Sequence, residues 1–285
     1  MATSASSELR AAAAVLAAAG AASPRIVAEL LLAHLLGRRR SQLLLVGELT
    51  VAESAAFTEL IRRRATGEPL QHLTGLAPFR RLELAVGPGV FIPRPETELI
   101  LELAAAELAG AGCVLDLCAG SGAIALSVAA EFAPARVIAV ERSVPALRWL
   151  RANADSRAAA GDRRIEIVAA DVTDPGLLAD LAGTVDVLLT NPPYVPELIR
   201  AELSVEVGHD PAEAVYAGPD GLALMPGLLA TAARLLRPGG LLVIEHDAGQ
   251  GESVPGLLSA AGNWSEVTDH ADLTGRPRFA RAIRR

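Results

Sequence analysis

Val114-Leu115-Asp116-Leu117-Cys118-Ala119-Gly120-Ser121-Gly122-Ala123 passes from apolar residues through an acidic one into a glycine turn, and so reads as a strand that hands over to a helix beginning near Ala123. Downstream the same alternation repeats. Apolar runs at Val137-Ile138-Ala139-Val140, Ile165-Glu166-Ile167-Val168, Val185-Asp186-Val187-Leu188-Leu189 and Leu241-Leu242-Val243-Ile244 are separated by helical stretches. Near-continuous apolar strands alternating with helices predict an α/β fold, a parallel doubly wound sheet covered on both faces. Trp264 to Val267 and Arg278 to Ile283 read as edge strands, and no internal repeat is visible.

Upstream the pattern changes. From Ser4 to about Gly75 apolar residues recur at helical spacing, as in Ile26-Leu30-Leu31-His34-Leu35, which predicts a small α-helical domain. Arg38-Arg39-Arg40 and Arg62-Arg63-Arg64 are expected as solvated helix ends, where cations complement the helix dipole; contact with an acidic partner is the other reading. Phe79 to Val86 alternates in part, closes on Gly87-Pro88-Gly89 and continues into Val90-Phe91-Ile92, suggesting a hairpin. The expected organisation is a helical domain over 1–75, a β-hairpin linker over 76–92 and the sheet domain over 93–285.

The composition suits a folded chain: 285 residues, 51% hydrophobic and 21% charged. No uncharged apolar stretch approaches the roughly 18 residues that a membrane span needs. Ala11 to Ser23 imitates a signal peptide, but Glu8 cancels Arg10 and only Val15 and Leu16 are strongly apolar, so an Ala-rich helix is expected. Cys113 and Cys118, placed on one strand, should face opposite ways and not bridge, which fits a reducing cytoplasm. The five histidines have no metal-ligand spacing, so no metal is expected. A net charge of -7 disfavours a phosphate backbone as partner without excluding nucleic acid.

In doubly wound sheets ligands bind beyond the carboxyl ends of the strands, and four of those ends are specialised. Cys118-Ala119-Gly120-Ser121-Gly122 lets a ligand approach the backbone at a helix N-terminus, although a structural turn or an incomplete dinucleotide fingerprint would look alike. Glu141 follows the second strand, where an acidic side chain accepts ribose hydroxyls in nicotinamide and S-adenosylmethionine sites; the bland alternative is a surface residue paired with Arg142 or Arg148. Asp171, with Val172 beside it, can accept from an adenine amino group while Val172 packs on the ring. Asp171 could also be an N-cap for a helix after Pro175, but Thr173 and Asp174 are better placed for that.

The fourth strand ends in Asn191-Pro192-Pro193-Tyr194. Two prolines leave no backbone N–H, so carbonyls and the Asn amide oxygen converge as acceptors of fixed direction. That arrangement suits a planar NH2 group. A loop without chemistry explains neither the Asn before the prolines nor the aromatic after them.

These residues resemble the Asn/Asp-Pro-Pro-aromatic methyltransferases and, more closely, the release-factor glutamine methyltransferases of the HemK/PrmC family. The likeness extends to Phe91-Ile92-Pro93-Arg94-Pro95-Glu96-Thr97-Glu98, to Glu213 through Leu222, to Glu245-His246-Asp247 followed by Gly249-Gln250-Gly251, and to the N-terminal helices. Two departures stand out: Cys118 replaces a common Gly, and Val172 stands where an aromatic residue stacks in relatives. The resemblance implies a Rossmann-like class I methyltransferase sheet with S-adenosyl-L-methionine held by Cys118 to Gly122, Glu141, Asp171, Val172 and Asn191, giving S-adenosyl-L-homocysteine. It implies an acceptor amide gripped by Asn191, Pro192, Pro193 and Tyr194, belonging to the Gln of the Gly-Gly-Gln loop of a peptide chain release factor. The helical domain would dock that protein. The expectation is therefore a cytoplasmic translation-termination enzyme with no membrane or direct nucleic-acid partner. The alternative is an amino methyltransferase acting on adenine or guanine. A nicotinamide oxidoreductase would use the glycine turn and Glu141 but leaves Asn191 to Tyr194 without a role.

Overall fold

Seven strands form the sheet: β1 (Cys113–Leu117), β2 (Arg136–Glu141), β3 (Glu166–Ala169), β4 (Val185–Thr190), β5 (Leu236–Glu245), β6 (Trp264–Ala271) and β7 (Pro277–Arg284). This computed structural model describes residues 3–202 and 204–285. The strand order is β6-β7-β5-β4-β1-β2-β3, with β1 to β5 parallel and β6 and β7 antiparallel. The Arg278 to Ile283 segment is therefore no edge strand. It lies between β5 and β6, where Phe279, Ala280 and Ala282 are fully buried.

Two units divide the chain: Met1–Leu76 with Ser204–His209, and Ala77–Leu203 with Asp210–Arg285. The first holds α1 (Ala5–Ala18), α2 (Pro24–Leu35), α3 (Val51–Ala65) and α4 (Leu70–Thr74) around Leu9, Leu16, Leu31, Leu32, Phe57 and Ile61. Thr50 begins α3 with a capping box, accepting from the Glu53 N–H while its own N–H donates to the Glu53 carboxylate. Arg62 and Arg63 are exposed in the last turn and pair with Glu59 and Glu68. Arg64 is buried and pairs with Glu206, so it is not the solvated cation that its sequence run suggests.

In the second unit, the ribbon Leu76–Phe79 with Leu82–Ala85 turns at Arg80-Arg81 and not at Gly87-Pro88-Gly89. Arg80 accepts a φ of 52° because its N–H donates to Glu98 and its guanidinium is held by Glu131 and Glu102. Helices α5 (Leu99–Leu103), α6 (Ala105–Leu108), α7 (Ala123–Glu131) and α8 (Val144–Ala159) cover one sheet face with the ribbon. After the short α9 (Ala212–Val215), α10 (Met225–Leu235) and α11 (Ser253–Ala260) cover the other. Alternate residues of β5 serve the two faces, Leu241 and Val243 one and Leu242 and Ile244 the other. The α7 to β1 packing is apolar apart from Asp116, fully buried, whose Oδ2 accepts from the Ala125 N–H at 3.0 Å.

Candidate active site

Sheet register alone brings the specialised strand ends into one row. Leu117 pairs with Val140 on one side and Thr190 on the other, and Thr190 pairs in turn with Ile244. The next residues, Glu141, Cys118, Asn191 and Glu245, stand side by side along the carboxyl edge, Glu141 and Glu245 as the last residues of β2 and β5 and Cys118 and Asn191 just past β1 and β4. The chain reverses its direction of travel across the sheet between β1 and β4, the switch point at which such folds bind ligands. The Thr190 hydroxyl fixes the junction by donating to the Leu117 carbonyl at 2.7 Å.

A cleft opens there, lined among others by Phe91, Thr97, Gly120, Glu141, Asp171 and Asn191. The sequence-predicted residues Cys118, Ala119, Ser121, Val172 and Pro193 line it as well, whereas Gly122, Pro192 and Tyr194 do not. Gly120, at φ 56°, has open space where a side chain would begin, and Gly122, at φ 89°, begins α7. The turn is strapped from three directions. Its Gly120 N–H donates to Glu141 Oε2 at 2.8 Å, its Ala119 N–H donates to the Val140 carbonyl, and Asn153 donates to the Ser121 carbonyl at 3.0 Å. Glu141 is buried, and its Oε1 accepts from the Ser143 N–H at 2.7 Å, so the surface pairing with Arg142 or Arg148 does not form. Arg142 donates instead to Asp171 at 2.9 Å. The N–H and hydroxyl of Thr173 also donate to Asp171, and these bonds first, then Arg142, hold its pKa down to about 2. After Pro175 the chain forms a turn and only a short 3-10 helix, Ala179–Leu181, whose N-cap is Leu178, so Asp171 caps no helix. Val172 is largely committed to the core below the cleft, with 5% of its surface exposed.

Cys118 departs from its strand. It sits past the end of β1 at a φ of 61°, and the left-handed turn brings its side chain to the same core as Cys113, not to the opposite face. Both thiols are free, and burial pushes both upward in pKa.

At the β4 end of the cleft, Asn191 Nδ2 donates to Thr97 Oγ1 at 3.0 Å. The Tyr194 hydroxyl donates to Glu245 Oε1 at 2.8 Å, and the Tyr194 carbonyl accepts from Gln250 Nε2 at 3.0 Å. Glu245 is fully buried. Burial pushes its pKa up to about 7, against the hydroxyls of Thr97 and Tyr194 and the Arg278 guanidinium, which lower it, while Glu96 raises it. Burial and the neighbouring Glu245 carboxyl push Tyr194 well above its ordinary value. Thr97 sits in a 3-10 turn, Pro95–Glu98, that Pro95 opens. The residues before it are fixed by Asp210, buried, which accepts from the Ile92 N–H at 3.1 Å and pairs with Arg94. Arg94 also lies over the Phe91 ring at 5.0 Å.

Sequence reasoning gave no individual role to Thr97, Asn153, Asp210 or Glu245. Thr97 and Glu245 lie within quoted motifs, and Asn153 interrupts the apolar face of α8 formed by Ala146, Leu147 and Leu150, which was the available signal. Asp210 had none. Among the described residues no group of three or more potential metal ligands occurs, and no helix is long and apolar enough to cross a membrane.

Two family models match this chain: the PrmC N-terminal domain over residues 8–75 and the methyltransferase small domain over 84–207. Release factor glutamine methyltransferase of Mycolicibacterium smegmatis is 49% identical, over 97% of this chain and 96% of its own. Its counterpart from Streptomyces coelicolor is 44% identical over 94% and 93%. A 4-amino-L-phenylalanine/4-methylamino-L-phenylalanine methyltransferase of Streptomyces pristinaespiralis is 41% identical over 74% and 72%. Among solved structures, a T. thermophilus 16S rRNA methyltransferase in complex with AdoMet and guanosine superposes with a TM-score of 0.51 at 22% identity, covering 74% of this chain and 50% of that one. That likeness shows the fold.

Proposed function

Because this chain belongs to the release factor glutamine methyltransferase family, we propose that it transfers the methyl of S-adenosyl-L-methionine to the side-chain amide nitrogen, N5, of the Gln in the Gly-Gly-Gln loop of a peptide chain release factor. The single observation that carries this reading is the position of Asn191, beside the glycine turn in the sheet register and lining the same cleft.

The donor side of that cleft fits S-adenosylmethionine. Gly120 leaves open space for a ligand against the backbone, Glu141 lines the cleft with a carboxylate that could accept ribose hydroxyls, and Asp171, kept ionised, could accept from an adenine amino group. When bound, the cofactor supplies an electrophilic methyl. Cys118, Ala119, Ser121 and Val172 shape the walls around it, and Gly122, at the start of α7, sets the turn that carries them.

The acceptor side must counter the poor nucleophilicity of an amide nitrogen, whose lone pair is delocalised into its carbonyl. Asn191 Oδ1 takes one N–H hydrogen and the carbonyl of Pro192, a buried residue that reaches the acceptor only through its backbone, takes the other; together they orient the amide plane and favour the charge distribution in which the nitrogen turns positive. Pro193 lies along the cleft wall and packs the amide plane, and Tyr194 holds the turn from behind through Glu245. Alignment for in-line displacement supplies the rest of the acceleration. No covalent intermediate or dedicated general base is required, since the proton leaves after transfer. The N-terminal helices serve as the docking module for the protein substrate.

The test uses S-adenosylmethionine carrying a labelled methyl. Label should enter release factor and not a variant whose loop Gln is replaced by Ala. Equal labelling of the two, or preferential labelling of RNA, DNA or 4-amino-L-phenylalanine, would reject the glutamine assignment. The 41% identical arylamine methyltransferase makes the last acceptor the informative control, because its NH2 group would satisfy the same two acceptors.

A further inference from the structure

Asn191 works only in one of its two amide orientations. With Oδ1 toward the cleft it accepts from an NH2 group; turned over, it presents Nδ2 and repels the same group. The orientation rests on the atom behind it, Thr97 Oγ1, 3.0 Å from Nδ2. A hydroxyl can accept or donate, so Thr97 by itself does not choose.

The choice lies one step further back. Thr97 and Glu245 are both buried, Glu245 stands beside Asn191 in the sheet register, and the Thr97 hydroxyl is near enough to the Glu245 carboxyl to lower its pKa. Glu245 Oε1 is taken by the Tyr194 hydroxyl at 2.8 Å. Glu245 Oε2 is buried and has no hydrogen-bond partner among the described residues, which leaves it as an open acceptor toward which the Thr97 hydroxyl can turn its hydrogen. With Glu245 ionised and the Thr97 O–H donating to it, the Thr97 oxygen is left to accept from Asn191 Nδ2, and Oδ1 must face the cleft. The same carboxylate fixes Tyr194, so one side chain from β5 holds both ends of the Asn191-Pro192-Pro193-Tyr194 turn.

We propose that Thr97 and Glu245 are positioning residues for methyl transfer, a donor-to-acceptor chain that locks Asn191 in its accepting orientation. The Pro95–Glu98 turn and the end of β5, neither of which supplies a group to the acceptor itself, thereby gain a role in turnover. This rests on the reading of the site as one that grips an NH2 group.

Three variants test it. Thr97→Val removes the chain at constant shape, Thr97→Ser keeps it, and Glu245→Gln keeps an acceptor for Tyr194 while offering Thr97 an N–H, which reverses the wiring. With saturating release factor, kcat should fall about tenfold in Thr97→Val and further in Glu245→Gln, consistent with the cost of misplacing one catalytic group. KM for release factor and the calorimetric Kd for S-adenosylmethionine should stay within about twofold, and Thr97→Ser should keep most of the wild-type kcat. The decisive protein is Thr97→Val/Glu245→Gln. Removing the hydroxyl that carries the reversed wiring should raise kcat from the Glu245→Gln level to that of Thr97→Val. A double variant whose loss is the product of the single losses, an unaffected Thr97→Val, or a kcat loss matched by loss of donor affinity would overturn the proposal. All forms are compared on whichever of release factor and 4-amino-L-phenylalanine the wild type methylates, so a wrong substrate would defeat the functional reading and leave this comparison intact.

Discussion

The two halves of the cleft are built by different rules. On the donor side, Cys118 to Gly122, Glu141 and Asp171 are held by bonds within the row of strand ends, Gly120 to Glu141, Ala119 to Val140 and Arg142 to Asp171, with Asn153 the one strap from a helix face. On the acceptor side, Asn191 and Tyr194 are held by Thr97, Glu245 and Gln250, which come from a turn before the sheet and from the end of β5 and beyond. The first half is a product of backbone and register. The second is a product of side chains brought together by the whole fold, so single changes there should alter chemistry more than binding.

The largest effect expected from this difference is in Asn191→Ala. Turnover should fall by roughly 10²- to 10³-fold, the usual loss for one preorganised hydrogen-bonding group, while the calorimetric Kd for S-adenosylmethionine stays nearly unchanged. Loss of donor binding in parallel would move Asn191 to the other half. The mirror experiment is Gly122→Ala. A Cβ there would lie 2.6 Å from Leu150 Cδ1 at a φ of 89°, so donor affinity should drop roughly tenfold, about 1.4 kcal/mol, with kcat at saturating donor preserved. A fall in kcat with unchanged affinity would erase the division.

Acidity separates the halves more gently. Burial raises Asp116 to about 8 on the donor side and Glu245 to about 7 on the acceptor side. The folded chain therefore keeps protons that the unfolded chain has released, and stability present below pH 4 is lost as pH rises through these values. Tm should decline by several degrees between pH 5 and pH 8 in thermal unfolding. Asp116→Asn should flatten the upper part of that slope and Glu245→Gln the lower; a Tm that rises across this range would contradict both assignments. The smallest effect belongs to Cys118→Gly, which relieves a non-glycine residue at φ 61°. The gain should be about 0.5–1 kcal/mol in denaturant unfolding, because the added freedom of the unfolded glycine offsets part of the relief. A loss of stability would mean that the packing of Cys118 outweighs its strain.

What could be read from the sequence follows the same division. Parallel strands with apolar runs announce themselves, and the residue after each strand is identified without knowing its neighbours, which is why Glu141 and Asp171 were legible. The switch from a parallel to an antiparallel arrangement at β6 and β7 was not, because strand pairing is a long-range property and Arg278 to Ile283 reads alike at an edge or between two neighbours. The ribbon turn escaped for a local reason: Gly87-Pro88-Gly89 is the stronger turn signal, but Arg80 is stabilised in its left-handed conformation by three acidic side chains from elsewhere in the chain. Tyr194 was expected against the acceptor. Its hydroxyl turns away because Glu245 lies behind it, and a buried carboxyl is identified only once the fold is known.

The central claim is that this cleft methylates a protein glutamine. Mass spectrometry of release factor before and after incubation with S-adenosylmethionine, using the wild-type chain and Asn191→Ala, tests it most directly. One added methyl on the side-chain amide of the Gly-Gly-Gln glutamine is expected with the wild type and almost none with Asn191→Ala. A methyl on any other residue, or an unmodified loop beside a methylated nucleic acid or arylamine, would contradict it.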